Sequence, residues 1–132
     1  RKRRRKKSPR KASKKMPKVF LAEDDQTMVV LLQTLLGIEG FEVISIDVSA
    51  GDLLSVLKQD IPKILLLDVN LPGQSGLDIA REMRQNALFE NTRIIMVSGM
   101  SLEKESLKSG ADHFLLKPYM PDELIEILKK YS

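Results

Sequence analysis

Four apolar runs of this sequence each end in polar side chains of the types that bind metal ions and anions. The polar residues at these four positions are Glu23-Asp24-Asp25, Asp68, Ser98 and Lys117. Together they supply several carboxylates, a hydroxyl group and an ammonium group. If the four runs are neighbouring strands of one parallel sheet, all of these groups lie at the same edge of that sheet.

Carboxylates that lie close together repel one another, so a cluster of them needs a compensating cation. Mg²⁺ (or Mn²⁺) is a hard ion that prefers oxygen ligands and is held by one or two carboxylates. The ammonium group of Lys117 would add a second positive charge beside the metal ion. This arrangement suits phosphoryl transfer to a carboxylate nucleophile, which gives an acyl phosphate. The alternative is that the acids only cap strand ends and lie in solvated loops.

These residues are positioned by strands and helices that alternate five times along the chain. The predicted strands are residues 19–22, 41–46, 63–68, 93–97 and 113–116. The predicted helices are residues 26–38, 49–59, 77–85, 102–109 and 122–130. Nearly every strand is a continuous apolar run, which is typical of parallel strands that are buried on both faces. We therefore expect an α/β fold in which a doubly wound, parallel five-stranded sheet carries helices on both faces.

The sequence motifs around the polar residues occur together in one known family. The motifs are Ala22-Glu23-Asp24-Asp25, Leu66-Leu67-Asp68-Val69-Asn70-Leu71-Pro72-Gly73, Ser75-Gly76-Leu77, Met96-Val97-Ser98-Gly99, Gly110-Ala111-Asp112 and Leu116-Lys117-Pro118-Tyr119. In order and spacing they resemble the receiver domain of two-component response regulators, over about residues 18–132. The resemblance implies a flavodoxin-like (βα)5 fold with strand order 2-1-3-4-5. It also implies a cytoplasmic signalling domain that catalyses only its own phosphorylation and dephosphorylation.

The resemblance assigns one phosphoacceptor and one metal site. Asp68 would accept a phosphoryl group from a sensor histidine kinase or a histidine phosphotransfer protein. The metal ion would be held by Asp24, by Asp68 and by the backbone carbonyl of Asn70, with Glu23 contributing through a water molecule. Asp25 follows the acidic pair by one position, so we rank it lower as a ligand.

The resemblance also identifies residues that would bind the phosphate and change the conformation of the domain in response. Lys117 would bridge to the phosphate, Ser98 would donate a hydrogen bond to a phosphoryl oxygen, and Tyr119 would turn inward in response. The face formed by the fourth helix, the fifth strand and the fifth helix would change as a result. Three residues would shape the loops: Pro118 through a cis bond after Lys117, and Pro72 and Gly73 after the acceptor.

The positive charge of the chain is concentrated at its N-terminal end. Residues 1–18 hold twelve of the 22 lysines and arginines and no acid, whereas residues 19–132 hold ten bases and all 18 acids. We expect residues 1–17 to be a disordered basic tail or linker, and residues 18–132 to be the receiver domain. The tail could lead to an upstream domain in the same polypeptide, or bind nucleic acid or an anionic membrane weakly.

The composition of the chain and the absence of certain motifs exclude several other kinds of protein and of binding site. The chain has no cysteine, which excludes a disulfide framework, a thiolate zinc site and a cysteine nucleophile. It has no apolar run of about 18 residues that could span a membrane. Neither G-x-x-x-x-G-K-[ST] nor G-x-G-x-x-G occurs, so nucleotide binding has no support.

Two other functions remain open at this point. A Mg²⁺-dependent phosphohydrolase could use Asp68 as its nucleophile, but Asn70 stands where haloacid-dehalogenase-type enzymes need a second acid. A receiver-like protein-interaction domain would have lost the ability to accept phosphate. As a further partner of a receiver, we expect a second copy of the chain, with which it would form a homodimer on phosphorylation.

Two features depart from the family pattern, and one residue that could react chemically is interpreted as structural. The segment 98–110 is shorter than expected by about one helical turn, which affects the usual output face. Met100 is apolar where the family often has a polar residue, so we expect an altered phosphoryl lifetime. His113 stands at the start of a predicted strand, so we interpret it as a packing residue.

Overall fold

The computed structural model describes residues 16–131, so that nearly all of the predicted tail, residues 1–17, lies outside the described residues. The strands are β1 (Lys18–Ala22), β2 (Glu42–Ser45), β3 (Ile64–Asp68), β4 (Asn70–Leu71), β5 (Gln74–Ser75), β6 (Arg93–Ser98) and β7 (His113–Leu116). The helices are α1 (Gln26–Ile38), α2 (Leu53–Gln59), α3 (Gly76–Arg84), α4 (Glu103–Ser109) and α5 (Pro121–Lys129). Each predicted strand and helix is present, with bounds that differ by a few residues at most.

Five strands form one parallel sheet in the order β2-β1-β3-β6-β7. Counted among these five strands alone, the order is 2-1-3-4-5, so the predicted flavodoxin-like (βα)5 fold is confirmed. The register pairs Ala22 with Leu67, Asp68 with Val97, and Ser98 with Leu116. The residues at the carboxyl ends of β1, β3, β6 and β7, or directly after them, therefore meet at one edge of the sheet.

The core consists of two apolar clusters, one on each face of the sheet. One cluster contains the buried side chains of α2 and α3, and the other contains those of α1 and α5. β3 is buried along its whole length, as the apolar run predicted. β2 and β7 are only partly buried because they are the two edge strands, which was not predicted from their sequences. Each buried leucine or isoleucine contributes about 1.5–3 kcal/mol to folding.

The predicted second helix, residues 49–59, is interrupted near its start. A short 3₁₀ turn at Val48–Ala50 is followed by Gly51 at φ +106°, and α2 begins only after Asp52. The side chain of Asp52 accepts a hydrogen bond from the N–H of Ser55 and so caps α2. The positive φ of Gly51 separates the two helical turns.

None of the helices in the described part of the chain is both long and apolar enough to cross a bilayer.

Candidate functional site

Three carboxylates lie together at the carboxyl edge of the sheet. Glu23 and Asp24 follow β1, and Asp68 ends β3. One oxygen from each of the three lies within 4.8 Å of the others. Glu23 and Asp68 are buried, whereas Asp24 is exposed. The structure thus brings together the three acids that the sequence placed in a metal site.

Lys117 supplies positive charge to this cluster from the end of β7. Its Nζ donates to Asp68 Oδ2 at 2.7 Å and to Glu23 Oε1 at 3.1 Å. Burial lowers the pKa of Lys117, but the two hydrogen bonds and the two negative charges outweigh this effect and raise the pKa overall. Lys117 therefore stays charged, and one ammonium group faces three carboxylates.

The remaining carboxylate oxygens decide which acid is available to a cation. Asp68 Oδ1 accepts the N–H of Asn70 at 2.9 Å, and Glu23 Oε2 accepts the N–H of Asp25 at 3.0 Å. Of the hydrogen bonds among the described residues, none uses the side chain of Asp24. This oxygen-only donor set, with one solvent-facing carboxylate and surplus negative charge, fits a hard divalent cation such as Mg²⁺.

A tight hairpin follows Asp68 and sets the path of the acceptor loop. β4 pairs with β5 in antiparallel fashion, and Asn70 lies opposite Ser75. The turn between them is Pro72-Gly73, in which Gly73 has φ +69°, a conformation that favours glycine. Pro72 and Gly73 thus stand where the sequence placed them, in the loop after the acceptor.

Gly76 contacts this loop closely, and sequence reasoning assigned it no role. Its N–H donates to the carbonyl oxygen of Val69 at 2.8 Å. A Cβ atom at this position would collide with the carbonyl oxygen of Asp68 and lie 2.9 Å from the Cα of Val69. The Ser75-Gly76 pair in the sequence was the available signal, but the contact itself depends on how α3 packs.

Ser98 is buried at the end of β6, one residue after Val97, the register partner of Asp68. Its Oγ accepts the N–H of Met100 at 3.0 Å, and its carbonyl oxygen accepts the N–H of Lys117 at 2.8 Å. The backbone of Met100 therefore orients the hydroxyl, which keeps its own proton free to donate to an oxyanion. The side chain of Met100 is exposed.

Tyr119 lies in the segment between β7 and α5. It packs against the cluster on the α1 and α5 face, while Val97, the neighbour of Ser98, points to that same face. Because side chains alternate along a strand, Ser98 points to the opposite face. Burial raises the pKa of Tyr119 to about 12, so its hydroxyl stays protonated. The Lys117–Pro118 bond that precedes Tyr119 is cis in this structure.

Two further residues considered in the sequence analysis, Asp25 and His113, make contacts that are structural. Asp25 is the N-cap of α1, and its Oδ1 accepts the N–H groups of Thr27 and Met28. His113 is hydrogen-bonded through Nε2 to the hydroxyl of Tyr131, which lies two residues after the end of α5. Burial is the largest influence on the pKa of His113 and lowers it, so the imidazole is neutral at pH 7.

Glu23 makes the stability of the metal-free site depend on pH. Burial is the largest influence on its pKa and raises it above the ordinary 4.5. The folded state therefore binds this proton more tightly than the unfolded chain does. The resulting stabilisation is full below about pH 4.5 and is lost as the pH rises through the folded-state pKa.

A glutamine at position 23 should remove this titration. The unfolding free energy of Glu23→Gln, relative to the unsubstituted protein, should rise between about pH 4 and about pH 7, by about 1.4 kcal/mol per unit of pKa elevation. Urea unfolding in metal-free buffer measures the difference, with Glu90→Gln, an exposed acid elsewhere, as the control. A pH-independent difference would contradict the interpretation.

Known proteins are similar to this one over nearly all of its described residues. The sequence profile of the family described as "Response regulator receiver domain" matches residues 19–129. The phosphate regulon transcriptional regulatory protein PhoB of Rhizobium meliloti is 37% identical over 118 residues, covering 86% of this chain and 51% of that protein. The chemotaxis protein CheY of Thermotoga maritima is 27% identical over 118 residues, covering 87% of this chain and 97% of that protein.

A solved structure is similar as well. The receiver domain of the Francisella response regulator 1452 superposes with a TM-score of 0.77 and 26% identity, covering 86% of this chain and 94% of that one. The chain spans about half the length of the transcriptional regulators that it matches. With the profile match over 19–129 and the carboxylate cluster in place, the chain belongs to the family of response regulator receiver domains, the signalling domains of two-component systems.

Proposed function

We propose that Asp68 accepts a phosphoryl group from a phosphohistidine on a sensor kinase or phosphotransfer protein, in a Mg²⁺-dependent reaction. The observation that carries this proposal is the position of the Asp68 carboxylate. It lies 2.7 Å from the ammonium group of Lys117 and beside the carboxylates of Glu23 and Asp24. Asp24 and Asp68 would bind the metal ion directly, together with the backbone carbonyl of Asn70, and Glu23 would bind through water.

The reaction transfers one phosphoryl group between two side chains. A carboxylate oxygen of Asp68 forms a bond to phosphorus, the phosphorus–nitrogen bond of the phosphohistidine breaks, and the imidazole leaves with the bonding electrons. The metal ion would neutralise charge on the phosphoryl oxygens. Lys117 would move from the carboxylate pair to the new phosphate, and the hydroxyl group of Ser98 would donate a hydrogen bond to one of its oxygens.

The new charge would then shift the domain between two states. Ser98 would be drawn toward the phosphate, Tyr119 would turn inward, and the face formed by α4, β7 and α5 would change. This face is where we expect an output partner, or a second copy on phosphorylation. Residues 1–17 would remain a separate basic tail or linker, with the domain at 18–132.

Acetyl phosphate tests the phosphoacceptor directly. Incubation with acetyl phosphate and Mg²⁺ should add about 80 Da, the mass of one HPO₃ group, and Asp68→Asn should abolish the addition. Asp78→Asn is the matched control, because Asp78 is an exposed acid whose ion pair with Arg81 lies on the surface of α3. Absence of the adduct would contradict the proposal and favour an interaction domain. Multiple turnover of a phosphate ester would favour a phosphohydrolase.

Met100 should influence how long the phosphoryl group persists. Its side chain is 60% exposed, two residues after the buried Ser98, so an asparagine there could orient an attacking water molecule. We expect Met100→Asn to shorten the half-life of the phosphorylated protein several-fold, measured by intact mass over time. Met120→Asn, at 65% exposure on another segment, should leave the half-life unchanged. Equal half-lives for all three proteins would contradict this expectation.

A further inference from the structure

Two lysines lie side by side at the amino edge of the sheet, which is the edge opposite the carboxylate cluster. Lys18 is the first residue of β1, and Lys63 directly precedes β3. The register pairs Phe20 with Leu65, so the same offset places Lys18 opposite Lys63 on the neighbouring strand. Neighbouring strands of a sheet are about 4.8 Å apart. Both side chains are exposed, so two ammonium groups face solvent from adjacent strands.

The fold leaves the charge of these two lysines uncompensated. Like charges that lie directly opposite each other destabilise a pair of strands. Among the ion pairs of residues 16–131, none includes Lys18 or Lys63. Glu42 lies opposite Lys18 on β2, yet these two residues form no ion pair in the described chain. A bound anion would relieve the repulsion between the lysines, as a cation would relieve that of the carboxylate cluster.

A third basic residue continues this row on the next strand. Arg93 is the first residue of β6, and its N–H donates to the carbonyl oxygen of Lys63 at 2.8 Å. Its exposed side chain forms a long ion pair with Asp112, at 3.7 Å. The three adjacent strands β1, β3 and β6 therefore begin with, or directly after, a basic residue. We call Lys18, Lys63 and Arg93 the basic row.

The basic end of the sequence joins the domain at this row. Residues 1–18 hold twelve bases and no acid, and Lys18 is both the last of these bases and the first residue of β1. The carbonyl oxygen of Pro17 accepts the N–H of Glu42 at 2.9 Å, which fixes the point where the preceding residues enter the fold. The basic row and the bases of residues 1–17 therefore adjoin each other.

The acids of the candidate site lie at the other end of the same strands. β1 runs from Lys18 to Ala22 and is followed by Glu23, Asp24 and Asp25. Five strand residues separate the two edges of the sheet by about 16 Å. This distance exceeds the Debye length of about 8–10 Å at physiological salt. The carboxylate cluster would thus repel an anion at the basic row only weakly.

We propose that the basic row and residues 1–17 together bind double-stranded nucleic acid through its phosphate groups, without sequence specificity. A duplex carries one negative charge about every 1.7 Å along its axis, so it engages many cations at once. Contacts from lysine and arginine to phosphates set affinity and position, whereas sequence is read through base edges. We expect a dissociation constant on the order of 10 µM at physiological salt.

The composition of residues 1–18 favours a duplex over other anionic partners. These residues include no aromatic side chain on which unpaired bases could stack. Apart from two prolines, Ala12 and Met16 are their only apolar residues, so they offer little surface for insertion into a bilayer. Protein interfaces depend on buried aromatic and apolar anchors, which the basic row does not supply. Phosphate recognition by charge is the chemistry that remains.

Fluorescence anisotropy of a labelled DNA duplex of about 20 base pairs, titrated with the full chain at about 50–200 mM salt, tests the proposal. The logarithm of the association constant should fall linearly with the logarithm of the salt concentration. The double variant Lys18→Gln/Lys63→Gln should make this slope less steep by about 2, because each contacted phosphate contributes about 0.9. Arg93 is left unchanged because it also contacts Asp112 and Tyr131.

The double variant Arg81→Gln/Lys104→Gln is the matched control, because it removes two exposed bases from α3 and α4. Its slope should equal that of the unsubstituted protein. Equal slopes for the two double variants, or no binding at about 50 mM salt, would overturn the proposal. Tighter binding to vesicles that contain about 25% phosphatidylserine than to the duplex would also overturn it, in favour of a membrane partner.

Lysine acetylation tests the contact at single residues. A bound duplex should protect Lys63 from brief treatment with N-hydroxysuccinimide acetate, whereas the exposed Lys104 should react at an unchanged rate, measured by peptide mass spectrometry. Unchanged reactivity of Lys63 would contradict its contact with phosphate. Both double variants should still form the adduct with acetyl phosphate, because their substitutions lie outside the phosphoacceptor site. Failure of duplex binding would therefore leave the proposed function of Asp68 untouched.

Discussion

Replacing Gly76 with alanine should damage both the stability of the domain and its phosphorylation. The new methyl group would collide with the carbonyl oxygen of Asp68 and lie 2.9 Å from the Cα of Val69. Both are backbone atoms of the acceptor loop, so no side-chain rotation relieves the contact. We expect a loss of about 3 kcal/mol in the free energy of unfolding. Displacing Asp68 from Lys117 should also slow phosphorylation by acetyl phosphate by up to about 100-fold.

Gly37→Ala is the matched control for this substitution. Gly37 lies within α1, and a Cβ atom there would meet nothing within 4 Å. Alanine should stabilise the helix by about 0.5–1 kcal/mol and leave the rate of phosphorylation unchanged. Urea unfolding and the time course of adduct formation measure both effects. Normal phosphorylation of Gly76→Ala would show that the close contact does not position Asp68.

Replacing Arg84 with alanine should produce the other large loss of stability. The guanidinium group, at the end of α3, makes four hydrogen bonds of 2.8–3.0 Å. They go to the carbonyl oxygens of Gly110, Phe89 and Thr92 and to the carboxylate of Asp112. Truncation would leave three partly buried carbonyl groups without a charged donor. We expect a loss of about 3 kcal/mol, since bonds to charged groups contribute about 1.5–3 kcal/mol each and are not additive.

Arg81→Ala provides a control on the same helix. Arg81 is an exposed side chain whose ion pair with Asp78 lies on the surface, so its removal should change stability by less than about 1 kcal/mol. The stability of Arg84→Lys should lie between the stabilities of Arg84→Ala and Arg81→Ala, because one ammonium group cannot reach all four acceptors. Thermal and urea unfolding measure the series. Equal stability of Arg84→Ala and Arg81→Ala would contradict the structural role of Arg84.

Local features of the sequence were sufficient to predict the five strands of the parallel sheet and the five helices, in their order along the chain. Apolar runs such as 64–67 and the helical spacing of 26–38 reflect the period of a buried strand and of a helix, which are properties of neighbouring residues. The alternation of these elements predicted the parallel sheet, because short connections between strands and helices permit few other arrangements. The polar residues at or just after the ends of β1, β3, β6 and β7 predicted where the candidate site would lie.

The sequence could not predict which of these groups touch. Lys117 bonds to Glu23 and Asp68 across separations of 94 and 49 residues, and that contact depends on the register of three strands. The burial of Glu23 beside the exposed Asp24 depends on the same packing. So does the alternation along β6, which places Val97 on the α1 and α5 face of the sheet and Ser98 on the opposite face.

Packing also gave importance to residues to which the sequence had assigned no role. Gly76 and Arg84 matter because distant backbone atoms approach them. Lys63 is notable because the register of β1 and β3 places it opposite Lys18. By itself, the sequence determined the kinds of chemical group at the sheet edge and the elements that carry them, because both follow from short-range patterns. Only the tertiary structure decided the contacts among those groups, because burial and distance are set by segments far apart in the chain.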